Sequence, residues 1–329
     1  MSEIQLLKKD LQNRLNSMRI KPNGLNPRKY DVSIKYFSKE NSIPDKRIDY
    51  LVTTDLKINN GTGEISIQKE DIFYNQHEAD LINEIVSNAI SKSVYPIITH
   101  FNEKGISSNE ILNLVEIEER WKNEKLILLG KYCSDDLNDK IEKFENKIQN
   151  RGVLERGLQY DWFWNLFFHP KLINYGDKRT VQRNLLLSIV PYSPPFVFKG
   201  IQKIEKIPTN YHSFLVTFKS VETLAPNFFY SKNINSNQTL YMKLKVDFDI
   251  DLYHHFPMHT VAELEIYSKD KFENRNIIKK IDFSMYQVDT DEYKSKKLSN
   301  DSPFITGGLV KLPPNKWGFD NFENLENDW

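Results

Sequence analysis

From Leu240 the even positions read Leu240, Met242, Leu244, Val246, Phe248, Ile250 and Leu252, while the odd ones read Tyr241, Lys243, Lys245, Asp247, Asp249, Asp251 and Tyr253. Alternation of this strictness has a period of two. It cannot come from a helix, whose side chains repeat every 3.6 residues, so the stretch must be a β-strand with one apolar and one polar face. After a break at 253–257 a second strand follows, in which Thr260, Ala262, Leu264 and Ile266 alternate with Val261, Glu263, Glu265 and Tyr267. A polar turn over 268–276 leads to a third strand over 277–288, where Ile281, Phe283 and Met285 share a face. Long strands joined by short polar connections form an antiparallel meander with one solvated side, and the apolar side needs a roof.

The roof is predicted between residues 77 and 168. In 77–94, Leu81, Ile82, Ile85, Val86, Ala89 and Ile90 make a broad apolar helix face, and Pro96 ends it. Helices over 114–132 (Ile117, Trp121, Leu128), 135–149 (Leu137, Ile141, Phe144, Ile148, capped by Ser134 or Asp135) and 154–168 (Leu154, Leu158, Trp162, Leu166) follow. Further strands are expected at 30–37, 47–59 and 64–68, the last two joined through Asn60-Gly61, a step whose residues tolerate positive φ. A second hairpin is read at 95–101 and 106–112 around Asn102-Glu103-Lys104-Gly105, and more strands at 179–190, 196–206 and 211–222. The expected fold is therefore α+β: a large, mainly antiparallel sheet, the meander 239–288 plus N-terminal hairpins, covered on one face by helices from 77–168. Residues 1–28 read as an amphipathic helix and linker, 29–290 as one domain with a sub-boundary near 175 as the alternative, and 291–329 as a polar, partly irregular tail.

Composition removes several functions. Lys+Arg and Asp+Glu both number 45 in 329 residues, so no global field draws the chain to nucleic acid or an anionic membrane. The single cysteine, Cys133, makes neither an internal disulfide nor a Cys-rich metal site. The first residues lack an apolar signal segment, and apolar runs such as 185–190 are strand-sized, which predicts a soluble cytoplasmic protein without a membrane span. Twelve Gly against abundant Asn, Lys and Ile suit a bacterial source with an AT-rich genome.

Catalytic motifs are sparse. Gly61-Thr62-Gly63-Glu64 lacks the Lys and Ser/Thr of a phosphate-binding loop, and His77-Glu78-Ala79-Asp80-Leu81 has Leu where a zinc-protease helix needs its second His. The strongest chemical candidate is His254, His255 and His259, between the first two meander strands, near Asp249, Asp251, Glu263 and Glu265. Imidazoles and carboxylates suit a divalent metal, although adjacent histidines on an extended chain point apart, and a solvated turn is the plainer reading. No cofactor is expected.

What remains is surface. Ile4, Leu7, Leu11, Leu15 and Met18 make a narrow stripe on the first helix, which either packs back on the body or docks on something else. Residues 161–175 (DWFWNLFFHPKLINY), the densest aromatic stretch, read as core first and as a partner surface second. Trp317 and Trp329 punctuate an acidic tail that drapes over the body or docks. These features predict a non-enzymatic protein-binding or assembly factor, adaptor, chaperone-like or immunity-like. Its partner would be another protein met through Leu7, Leu11, Leu15, Trp162, Trp164, Trp317 and Trp329; a homo-oligomer is compatible with it, and nucleic acid is not expected. The alternatives are a carrier of an apolar molecule in a cavity lined by Trp162, Phe163, Phe167 and Phe168, and a metal-dependent hydrolase using His254, His255 or His259.

Overall fold

A computed structural model describes residues 19–20, 27–38, 41–59, 62–132, 134–190, 193–205, 213–224, 239–251, 254–269 and 274–288. Leu7, Leu11, Leu15, Trp317 and Trp329, with Cys133, lie outside them. Ten strands form one antiparallel sheet, an α+β arrangement: β1 (Arg28–Ser38), β2 (Lys46–Asn59), β3 (Thr62–Tyr74), β4 (Ile97–Phe101), β5 (Thr180–Leu187), β6 (Phe196–Ile204), β7 (Ser213–Leu224), β8 (Leu240–Asp251), β9 (Pro257–Lys269) and β10 (Arg275–Gln287). Their order is β4-β3-β2-β1-β10-β9-β8-β7-β6-β5. Two meanders meet where β1 pairs with β10, Val32 opposite Met285 and Ile34 opposite Phe283. Elements on both sides of residue 175 thus share one sheet.

The alternation in β8 sets the two faces. Its even residues, Leu240 to Ile250, are buried, and the register carries them into a row that runs Phe218, Val246, Ala262, Phe283, Ile34, Ile48 from β7 to β2. Five helices lie between β3 and β5 in the chain: α1 (Ile82–Val94), α2 (Leu114–Lys131), α3 (Asp135–Ile148), α4 (Arg151–Leu158) and α5 (Trp162–Phe167). The short α5 lies against the middle of the apolar face. Trp162 stacks on Phe283 at 6.2 Å, Phe167 meets Tyr30 edge-on at 5.8 Å, and His169 just beyond stacks on Phe248 at 5.3 Å.

Four local expectations are corrected. The predicted strand at 106–112 is an irregular segment, because Ser107 and Ser108 side chains accept the Asn109 and Glu110 amides and Asn109 takes a left-handed φ of 61°. The helix expected from 77 starts at Ile82, since His77 instead pairs back on Tyr74. The helix expected over 154–168 breaks into α4 and α5, with Asp161 capping the second by accepting the Phe163 amide at 2.8 Å. The lower end of the predicted wet face of β8 is not wet: Asp247, Asp249 and Asp251 are all buried, Asp247 between Lys245 of the same strand and Thr217 of β7, Asp249 beside His259 of β9, and Asp251 against Arg28 of β1.

Candidate functional site

The three histidines of the turn after β8 point to three different places. His254 accepts from the Arg28 guanidinium at 3.2 Å, while Arg28 also pairs with Asp251 at 3.1 Å and lies over the Phe256 ring. His255, in a left-handed conformation, donates from Nδ1 to the Arg19 carbonyl at 2.7 Å. His259, on β9, faces the polar side of the sheet, where its Nε2 lies 3.2 Å from Asp249 Oδ2 and its ring stacks on Tyr286. Among the described residues, no three His, Cys, Asp or Glu side chains gather as a metal-holding group.

Trp162 and Trp164, named as partner-binding candidates in a stretch read first as core, lie in the core, 3% and 2% exposed. Their indole N–H groups donate to the Ser188 carbonyl and to Asn109 Oδ1, each at 2.7 Å, so α5 is anchored on both sides. The aromatic stretch is therefore core, and its density reflects contact with the sheet below and loops around it. Beside Phe167 and Phe168 the remaining cavity is about 10 Å³, room for about one water.

Also buried on the apolar face is a polar network that sequence reading missed. His169 Nε2 donates to Gln202 Oε1 at 2.6 Å, Gln202 donates to the Pro170 carbonyl and to the Tyr175 hydroxyl, and Tyr175 donates to the Lys171 carbonyl. The Lys171 ammonium donates to the carbonyls of Leu166, Phe167 and His169, closing the C-terminal end of α5. Burial pushes the Lys171 amine down to about 7 and the His169 imidazole down to about 3. Each polar atom named here has a partner, which is the signature of a structural clasp.

The polar face carries a ladder of charge across the central strands. In register, Lys219, Lys245, Glu263, Asp282, Lys35 and Arg47 follow one another from β7 to β2. Lys280 joins Glu263 at 2.6 Å and Asp282 at 3.4 Å, Lys245 joins Asp247 at 2.9 Å, and Thr217 donates to Asp247. A concavity of about 440 Å³ opens above Ser33, Lys35, Glu263, Lys280, Asp282 and Tyr286. Burial pushes the Asp282 and Asp249 carboxyls up to about 6, and the His259 imidazole down to about 4. The odd-numbered residues of β8 signalled this face, but their burial depends on neighbours more than two hundred residues away in the chain, as with Arg28 and Asp251.

A different kind of surface lies on the helical side. Helix α2 buries Ile117, Trp121 and Leu128, yet on the opposite side it exposes Val115 (67%), Leu126 (70%) and Leu129 (43%). Ile127, beside them, forms one wall of a groove of about 480 Å³ between the end of β3, α1 and the last turns of α2. Ile72, Ile85, Ala89, Leu128 and Tyr132 line it, and Glu78, Lys92, Glu124 and Lys131 stand around it. On the outer side Glu118, Glu119 and Lys122 separate Val115 from Leu126 and Leu129, so the exposed apolar groups gather in the last turns of α2, next to the groove, and such a cluster is where a helix meets something on its second side.

The chain matches no protein-family model and no curated protein. Among the described residues, no helix is long and apolar enough to cross a membrane.

Proposed function

We propose that this protein is a non-enzymatic binding or assembly factor of the bacterial cytoplasm that receives a helix of a partner protein on the exposed apolar end of α2 and in the groove beside it. The observation that carries this reading is the exposure of Leu126, Ile127 and Leu129 in the last turns of one helix, where Ile127 and Leu128 line the groove. Exposed apolar side chains scattered singly mean little, whereas an apolar cluster next to a groove of this size matches the way amphipathic helices are held. Charges of both signs around the groove would set the register of such a helix.

The reading is tested with the full chain carrying Leu126→Glu and Leu129→Glu together. Both positions are exposed, so unfolding temperature should stay within a few degrees while the complex recovered from the source cells by size-exclusion chromatography is lost. Retention of the complex by this variant, with its fold intact by circular dichroism, would refute it. A carrier of apolar molecules finds less support, since the cavity by Phe167 and Phe168 has room for about one water.

A further inference from the structure

The concavity on the polar face has a floor and two walls, and the register of three strands explains them. One rung across β9, β10 and β1 is Glu263, Asp282 and Lys35, the next is Val261, Ser284 and Ser33, and the third is His259, Tyr286 and Asp31. Side chains on one face stand roughly perpendicular to the sheet, so a rung of short ones between two rungs of long ones leaves a hollow. It measures about 440 Å³ and is lined by the first two rungs together with Lys280 and Tyr286. Small-molecule sites fall in this range of volume.

The charges of the hollow are balanced, whereas its hydrogen-bonding capacity is not used up. Lys35 and Lys280 stand against Glu263 and Asp282, so a ligand of net charge would meet a like charge beside every opposite one. Lys280 reaches Glu263 at 2.6 Å and Asp282 Oδ2 at 3.4 Å, which engages two of the three donors of its ammonium. Among the described residues, nothing bonds the buried Oδ1 of Asp282 or the Oγ of Ser33, a residue only 2% exposed. Buried polar atoms of this kind are costly until something supplies the missing bond.

We propose that this hollow binds a neutral pyranose sugar, whose adjacent hydroxyls donate to Asp282 Oδ1 and accept from Lys280 and Ser33. A hydroxyl both donates and accepts, so a vicinal pair bridges a carboxylate and an ammonium that already neutralise each other. Val261 and Tyr286 offer apolar surface to the C–H groups of the ring. The site lies on the face of the sheet opposite the helices, apart from the groove at α2, and either can fail without the other.

The test titrates the full-length protein with the methyl glycosides of glucose, galactose and mannose, with glucosamine and glucuronate as charged counterparts, and follows binding by NMR. At least one neutral glycoside should bind with a Kd on the order of 1 mM, outbind both charged sugars by about fivefold or more, and move the amide resonances of β1, β9 and β10 most. Ser33→Ala and Asp282→Asn, which keep the shape of the hollow, should each weaken it by about fivefold. Should one of them fail to fold, the other and the pattern of shifted resonances carry the test. No binding of any of the three glycosides up to about 20 mM, which would mean that water alone fills the hollow, overturns the proposal. Tighter binding of a charged sugar, shifts centred outside these three strands, or unchanged affinity in the variants overturns it equally.

Discussion

Asp249 and His259 respond to pH in opposite senses although they touch. Burial raises the Asp249 carboxyl to about 6, so the folded state holds this proton more tightly than the unfolded one, and the stabilisation present at acid pH is lost as pH rises through about 6. Burial lowers the His259 imidazole to about 4, which gives the reverse: the unfolded chain binds the proton better, and stability rises between pH 4 and the ordinary histidine range. The two slopes oppose each other, and Asp249→Asn leaves the rising one. Relative to the unaltered protein, the variant should gain about 2 kcal/mol between pH 4 and pH 7 in urea unfolding. A difference independent of pH would show that the carboxyl is not shifted. Gln202→Leu should cost about 3 kcal/mol by the same measurement, since it strands His169, the Pro170 carbonyl and Tyr175 in the core.

Elements were legible where their period was clean and illegible where side chains compete with the backbone. The alternation of β8, β9 and β10 and the core stripes of α2 and α3 could be read directly, because burial repeats at the period of the element. β3 was expected only over 64–68 but runs from Thr62 to Tyr74. Lys69 and Asp71 obscured it. The first turns toward the helices, where its ammonium lies 3.8 Å from the Tyr50 ring centre and 3.4 Å from Asp161, and the second has a left-handed φ of 50°. Asp161 thus ties α5 to β3 and Tyr95 as well as capping the helix, so Asp161→Ala should lower stability by about 1–3 kcal/mol, read as a drop in unfolding temperature. Gly200 matters for β6. A Cβ there would come within 2.4 Å of the Lys219 carbonyl and 2.5 Å of the Phe218 ring, both on β7. Gly200→Ala should therefore cost about 2 kcal/mol or more and speed amide exchange in β5 and β6, which hang from that junction. Unchanged exchange there would contradict the close approach.

At the scale of the molecule, the hidden information was long-range. Period-two segments announce strands but do not say that β1 joins β10, and without that pairing neither the ten-strand order nor the identity of the two edge strands follows. The histidine turn illustrates the same limit. His254, His255 and His259 are close in sequence, yet the fold sends them to Arg28, to the Arg19 backbone and to Asp249. Trp162 and Trp164 drew attention as aromatic surface candidates, and the sheet beneath α5 claims both. The exposed Leu126 and Leu129 of α2 have no period of their own in the sequence, so their outward position follows only once Ile117, Trp121 and Leu128 are fixed in the core.

The claim on which the account turns is that the outward side of α2 is occupied in the cell. A photo-activated cross-linker placed at Ile127 of the full-length protein, in the source cells, tests it most directly, with Lys147 on the exposed side of α3 as the comparison. The account predicts one discrete adduct with a helical segment of a partner from position 127, absent from position 147 and abolished by Leu126→Glu. Adducts of equal yield from both positions, or none from position 127, would contradict it.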